Sequence, residues 1–236
     1  MDVRHANTGS WFLDGRQYDA WLHEAASFLW LHGIPGCGKT ILCSAVIQNL
    51  RHLRDRDPGR VVCYFYFHFQ DAQKQTSEDM LKSLVWQLCQ HCMAIPHTVN
   101  GFFAQSKSQH PFKEQLLEML KCLVQEFPHV YIVLDALDEC TRRDELLRTL
   151  KTLTAWDLQN LHLLLTSRRE RDIEESLGHF ADGRNFVPLE LATVDRDILA
   201  YVSQRLAEDV KLARWNAAPE LRQEIELIIS SKANGM

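Results

Sequence analysis

No stretch of this chain approaches the roughly 20 consecutive apolar residues that a membrane-spanning helix needs, so no span is expected. The opening residues Met1-Asp2-Val3-Arg4-His5 lack the apolar run of a secretion signal, and the two absences together predict a cytoplasmic protein. Basic surplus is missing too. Lys and Arg number 26 against 31 Asp and Glu, a net charge of -5, which argues against a chiefly electrostatic nucleic-acid binder. Seven cysteines, an odd and scattered set, make no disulfide framework; the one C-x-x-C, Cys89-Gln90-His91-Cys92, lacks a second pair with which to cage zinc. Reduced core thiols are expected instead. Neither an internal repeat nor a low-complexity tract is present. What remains is a folded domain: 236 residues, 46% of them hydrophobic, suffice for one α/β core with a small helical appendage.

The chain is organised around Gly33-Ile34-Pro35-Gly36-Cys37-Gly38-Lys39-Thr40, which lies between the apolar run Phe28-Leu29-Trp30-Leu31 and a helix starting near Thr40. It fits G-x-x-x-x-G-K-[ST], the phosphate-binding loop, in the strand-loop-helix context that this motif requires. The glycines let successive backbone N–H groups turn inward on phosphates without side-chain clash, and the helix start adds partial positive charge. Gly33, Pro35, Gly36, Cys37, Gly38, Lys39, Thr40 and Ile41 are the candidate nucleotide-binding residues. Lys39 would bridge the β- and γ-phosphates, and the Thr40 hydroxyl would ligate Mg²⁺. A plain glycine turn carrying an exposed lysine is the competing reading.

Before the loop, Thr8-Gly9-Ser10 forms a turn signal, and Trp11, Phe12, Tyr18, Trp21 and Leu22 provide anchors for a docking segment over residues 1–24. After it, Ile41, Leu42, Ala45, Val46, Leu50 and Leu53 recur at helical spacing up to Asp57-Pro58-Gly59. Residues 61–67 read as a strand by β-branched and aromatic content. Thr76-Ser77-Glu78-Asp79 resembles a capping box opening a helix with Met80, Leu81, Leu84, Val85 and Leu88 inward. A polar connection over 94–110 leads to Pro111 and a helix carrying Leu116, Leu117, Leu120, Leu123 and Val124. Residues 130–134 and 161–165 are apolar without alternation, as in the centre of a parallel sheet, and a helix through Leu146, Leu147, Leu150 and Leu153 joins them. Residues 186–191 make a weaker strand whose Pro188 suits an edge. The rest reads as helix, with Ile198, Tyr201, Val202 and Leu206 on one segment and Leu221, Ile225, Ile228 and Ile229 on the next. Strands alternating with helices predict an α/β fold, a P-loop NTPase with a parallel five-stranded sheet covered on both faces. The core is placed at residues 25–192 and the start of a helical arm at 193–236.

In such sheets ligands gather at the carboxyl ends of the strands. One strand leads into the loop; another ends in Asp135-Ala136-Leu137-Asp138-Glu139. A carboxylate delivered by an apolar strand is expensive without a cation or hydrogen bonds, so Asp135 is a Mg²⁺ ligand candidate beside Thr40, with a helix cap or turn as the alternative. Glu139 is the candidate for positioning or deprotonating the attacking water, with Asp138 as helper, unless both simply line a solvated turn. A third strand ends at Ser167-Arg168-Arg169, where Arg168 can reach a γ-phosphate. Arg169 and Arg171 read as part of a charged turn with Glu170 and Asp172.

Together these stations resemble the NACHT branch of the signal-transduction ATPases. The small Ala136 directly after Asp135, the run Leu163-Leu164-Leu165-Thr166-Ser167-Arg168, and the upstream Thr8-Gly9-Ser10-Trp11-Phe12-Leu13 with Trp21 are most similar to nephrocystin-3-like N-terminal modules common in fungal proteins. The resemblance implies ATP or GTP bound with Mg²⁺, slow hydrolysis, and a nucleotide-controlled switch between closed and self-associating states. Effector and repeat domains are expected to flank the module in a longer protein, of which this chain would be a fragment with a truncated helical arm. A small-molecule kinase and a non-hydrolysing assembly scaffold are the alternatives; a nucleic-acid motor is disfavoured by the acidic balance. Thr8, Gly9 and Trp11 are candidates for the base pocket, since the loop itself sees only phosphates.

Overall fold

Runs rich in Val, Ile, Leu and aromatics, each followed by a polar turn and an amphipathic segment, fold as strand-helix units. The computed structural model describes residues 9–94, 112–179 and 183–189, with isolated positions at 96, 99, 101, 206, 220, 224, 225 and 228. Its order is α1 (Ser10–Leu13), α2 (Arg16–His23), β1 (Phe28–His32), α3 (Lys39–Arg56), β2 (Arg60–Tyr66), α4 (Ser77–Cys89), α5 (Lys113–Gln125), β3 (His129–Asp135), α6 (Arg143–Ala155), β4 (Leu161–Ser167), α7 (Arg171–Gly178) and β5 (Phe186–Pro188). The connection over 94–110, Pro111, residues 190–191 and nearly all of the arm from 193 onward lie outside the described residues.

The five strands pair in parallel in the order β2-β3-β4-β1-β5. This is the predicted parallel five-stranded α/β sheet, with β5 at an edge where Pro188 needs no donor to a further strand. Period-2 alternation divides the core in two. Trp30, Cys63, Ile132, Leu134, Leu163 and Leu165 pack with α4, α5 and α6 on one face. Leu29, Leu31, Val62, Tyr131, Val133 and Leu164 pack with α2 and α3 on the other. Thr76 caps α4 as its sequence suggests, its hydroxyl accepting the Asp79 N–H at 3.1 Å. All seven cysteines are unpaired, and Cys89 is the last residue of α4.

Residues before the loop are tied to the sheet by side chains that pair their own polar tips. Trp21 Nε1 donates to the Leu163 carbonyl, Tyr131 OH donates to the Leu22 carbonyl, and Tyr18 OH donates to Asn49 Oδ1, each at 2.9 Å. Beneath them His162 is 1% exposed, stacked on Tyr131 and 2.8 Å from Ser27 Oγ. Burial, then His129 and Arg60, push its imidazole down to about 4. Since the folded value lies below the ordinary one, the unfolded chain takes up this proton first. The contribution of His162 is therefore complete above about pH 6.5 and is lost as pH falls toward 4, about 3 kcal/mol across that window. Urea midpoints measured from pH 7.5 to pH 4.5 should fall less steeply in His162→Gln than in the wild type.

Candidate functional site: a phosphate-binding cleft at the strand ends

The carboxyl ends of β1, β3 and β4 open into a cleft of about 320 Å³. Its loop side is made by Pro35, Gly36, Gly38, Lys39, Thr40 and Ile41, and its far side by Asp135, Ala136, Asp138, Glu139 and Arg168. Every residue singled out above as catalytic or metal-binding therefore shares one cavity. Gly36 and Gly38 hold φ of 79° and 80°, left-handed values that favour glycine, and Gly38 is the N-cap of α3. Gly38 has no side chain with which to cap α3, so the start of the helix can present its first N–H groups to an anion. Lys39 Nζ donates to the carbonyls of Gly33 and Ile34, both at 2.8 Å.

Sheet alternation decides what meets the loop. Val133 packs on the α3 face, so Asp135, two residues on, points the same way and reaches the start of α3. There Thr40 Oγ1 donates to Asp135 Oδ2 at 2.7 Å, across 95 positions of sequence. Asp135 is 3% exposed, and its other oxygen, Oδ1, accepts the Thr166 hydroxyl at 2.5 Å and the Cys43 thiol at 3.4 Å. Burial first, and then Asp135, pushes the Cys43 thiol well above its ordinary value, so it stays a donor. Burial likewise pushes Tyr66, the neighbour of Asp135 across the sheet, up to about 12.

The remaining carboxylates are held by neighbouring groups. Asp138, whose side chain is 6% exposed, takes both the Arg168 backbone N–H on Oδ1 at 3.0 Å and Arg168 Nε on Oδ2 at 3.1 Å. Glu139 Oε2 accepts the Phe69 N–H at 3.2 Å, in the turn after β2. Beside the loop His32 is 9% exposed, and burial together with the Arg169 and Lys39 charges lowers its affinity for a proton. Lys39 and the α3 terminus thus provide positive potential opposite three acids, one of which, Asp138, is paired with Arg168 on its own side of the cleft. That is the pattern for an anion carried with a cation.

A family profile described as "Nephrocystin 3, N-terminal" matches residues 7–168. The chain belongs to this family. That agrees with the NACHT-type resemblance read from its motifs. The vegetative incompatibility protein HET-E-1 of Podospora anserina is 25% identical over 240 residues, 95% of this chain but 17% of its own length. Among solved structures, CDC6P from Pyrobaculum aerophilum superposes with a TM-score of 0.56 at 14% identity, over 87% of this chain and 52% of its own. A structure titled a DNA replication initiation factor gives 0.50 at 12% identity, over 99% and 59%. These two likenesses show the fold. Motif, sheet and family together make the chain a nucleotide-binding module of the P-loop type.

In this nephrocystin 3 N-terminal module two of the expected phosphate-binding residues do not line the cleft. Gly33 and Cys37 lie behind the loop: Cys37 is 2% exposed, and a Cβ on Gly33 would meet its Sγ at 2.7 Å and Leu189 Cβ at 3.3 Å. Gly33 is thus required for space, where Gly38 is required for its backbone angle. Gly33→Ala should cost about 1–3 kcal/mol as overpacking, and Cys37→Ala should recover at least half of it in the double variant, read from urea midpoints. Gly9 and Trp11 do not line the cleft either; a Cβ on Gly9 would meet Leu42 Cδ1 at 2.8 Å, placing this turn against α3. Thr8 lies outside the described residues. Thr166 is the site residue that sequence reasoning overlooks. It lies two positions before Arg168, inside the run that carries the family resemblance, but nothing in that run assigns it a role of its own.

Proposed function

We propose that this module binds ATP or GTP with Mg²⁺ in the cleft, hydrolyses it slowly, and uses the bound nucleotide to switch the conformation and self-association of a larger cytoplasmic protein. The observation that carries the reading is the hydrogen bond from Thr40 to Asp135, where the loop and an acid from a separate strand converge. Two hard oxygen donors held together at the end of a glycine loop fit Mg²⁺. Among the described residues no three His, Cys, Asp or Glu side chains form a cage, and Mg²⁺ needs none, since phosphates and water complete its shell. Thr40 and Asp135 would hold the ion, which when bound neutralises charge on the phosphates. Lys39 and the uncapped N–H groups of α3 bind the phosphates, Glu139 positions or deprotonates water, and Arg168 steadies charge on the γ-phosphate.

The engaged state of the acids supports a regulatory pace. Glu139 Oε2 is held by the Phe69 N–H and Asp138 by Arg168, contacts that compete with engagement of water and phosphate. A kinase reading would need an arginine-bearing lid. Instead Arg169 pairs with Glu174 and Arg171 with Glu175 along α7, which leaves Arg168 at the cleft. Effector and repeat domains around the module are proposed from the family resemblance; this chain covers 17% of HET-E-1. Among the described residues no helix is long and apolar enough to cross a membrane.

The test is a titration with fluorescent ATP and GTP analogues, with Mg²⁺ and with EDTA, alongside release of free phosphate without an acceptor. Saturable, Mg²⁺-strengthened binding and slow phosphate release are expected. Absence of binding to both nucleotides would sink the proposal, and phosphoryl transfer to a small acceptor would replace hydrolysis with the kinase reading.

A further inference from the structure

We infer that Thr166 is a positioning residue for the Mg²⁺ ligand Asp135, an inference that rests on the nucleotide-binding reading above. The strand order separates the loop strand from the acid strand: β4 lies between β1 and β3. Leu165 is the partner of Leu134, so Thr166 follows beside Asp135, and Thr166 is also in register with Leu31 of the loop strand. Leu164 packs on the α3 face, and alternation turns Thr166 to that same face.

Thr166 is 0% exposed, and its hydroxyl is engaged both as donor and as acceptor. It donates its hydrogen to Asp135 Oδ1 at 2.5 Å and accepts the Ala136 N–H at 3.1 Å. The second bond matters because Ala136 holds φ 58°, ψ 52°, a left-handed conformation that costs a non-glycine residue energy and persists only when its surroundings enforce it. One hydroxyl thus fixes both the carboxylate and the backbone bend that follows it. With Oδ1 occupied by Thr166 and Cys43, Oδ2 is the oxygen turned to Thr40 and the cleft. A carboxylate free to rotate would lose this division between its oxygens. The ion would then meet a ligand that must be ordered on each binding event.

The experiment measures affinity for a fluorescent ATP analogue in Mg²⁺ and in EDTA, for wild type, Thr166→Val and Thr166→Ser, with thermal unfolding as a check on folding. Valine keeps the shape and removes both hydrogen bonds; serine keeps the hydroxyl. The valine variant is expected to lose about 10- to 100-fold of the Mg²⁺-dependent gain in affinity, while affinity in EDTA stays within about twofold. Serine should retain the gain. An undiminished gain in the valine variant, or equal weakening in Mg²⁺ and EDTA, overturns the assignment. Thr166→Cys, with a weaker donor in nearly the same space, gives a second comparison should the valine variant not fold. Its gain should fall between those of valine and wild type, and a cysteine variant equal to serine counts against the role. Wild-type protein that binds no nucleotide in either condition overturns the reading of the cleft itself, a result distinct from a normal wild type with an unaffected valine variant.

Discussion

Lys39→Ala should reduce nucleotide affinity by more than a hundredfold while leaving the nucleotide-free fold nearly intact. A charge-assisted hydrogen bond contributes roughly 1.5–3 kcal/mol, and an ammonium between two phosphates makes at least two of them. Their loss corresponds to about 3 kcal/mol or more, past the hundredfold mark. What the side chain does for the loop itself is smaller. Its Nζ is bonded to the carbonyls of Gly33 and Ile34, the latter contact exposed, and water can replace the ammonium there. Thermal unfolding separates the two effects. At a nucleotide concentration a hundred times the wild-type Kd, ligand binding stabilises the folded wild type by about 2.7 kcal/mol, on the order of 5–10 °C in Tm for a chain of this length. The variant should gain about 1 °C at that concentration and should match wild type within about 2 °C without nucleotide. An equal ligand-induced shift in both proteins would mean that the loop does not hold phosphate through Lys39.

The legible part of this site is the part written locally. Gly33 to Thr40 announces itself because the loop's chemistry needs small residues, a lysine and a hydroxyl at fixed spacing. Asp135 is legible because an unalternating apolar strand ends in a charge, and Arg168 because a second such strand ends in another. The parallel sheet follows from the same runs. Partnerships across the sheet are another matter. Asp138 and Arg168 form a two-point contact although 30 positions separate them, and neither motif predicts the other. Thr166 is invisible for a stronger reason: its meeting with Asp135 depends on β4 inserting between β1 and β3, and strand order is not encoded in any single run. Gly33 is named by the loop pattern, but the constraint the structure shows at it is the volume of the Cys37 side chain, a packing fact. The pairing of Glu139 with the Phe69 backbone belongs to the same class, since the turn after β2 carries no signal that an acid from the turn after β3 will reach it.

That pairing shapes the second large effect. Glu139→Gln should bind Mg²⁺-nucleotide within about threefold of wild type and release phosphate about 10²–10⁴ times more slowly, the range for removal of a general base. Glutamine keeps a carbonyl oxygen that can accept the Phe69 N–H at the 3.2 Å contact, so the turn after β2 stays anchored while the proton acceptor is lost. Glu139→Ala removes both. If Glu139 acts on water, the two variants lose turnover equally, and the alanine variant alone loosens the turn, which limited proteolysis or hydrogen exchange at residues 68–75 would register. If Glu139 serves only as an anchor, glutamine keeps wild-type turnover and alanine does not. Single-turnover phosphate release with nucleotide saturating for each variant reads the chemical step without interference from affinity. Phe69 is 62% exposed, with its own carbonyl held by Gln75 and the Gln75 carbonyl in turn held by Thr141. Movement of Glu139 toward the phosphates therefore frees one of the bonds that fix this surface. Wild type that keeps the turn protected when Mg²⁺-nucleotide is added would show that site and surface are uncoupled; loss of protection in wild type but not in the hydrolysis-dead glutamine variant would tie them together.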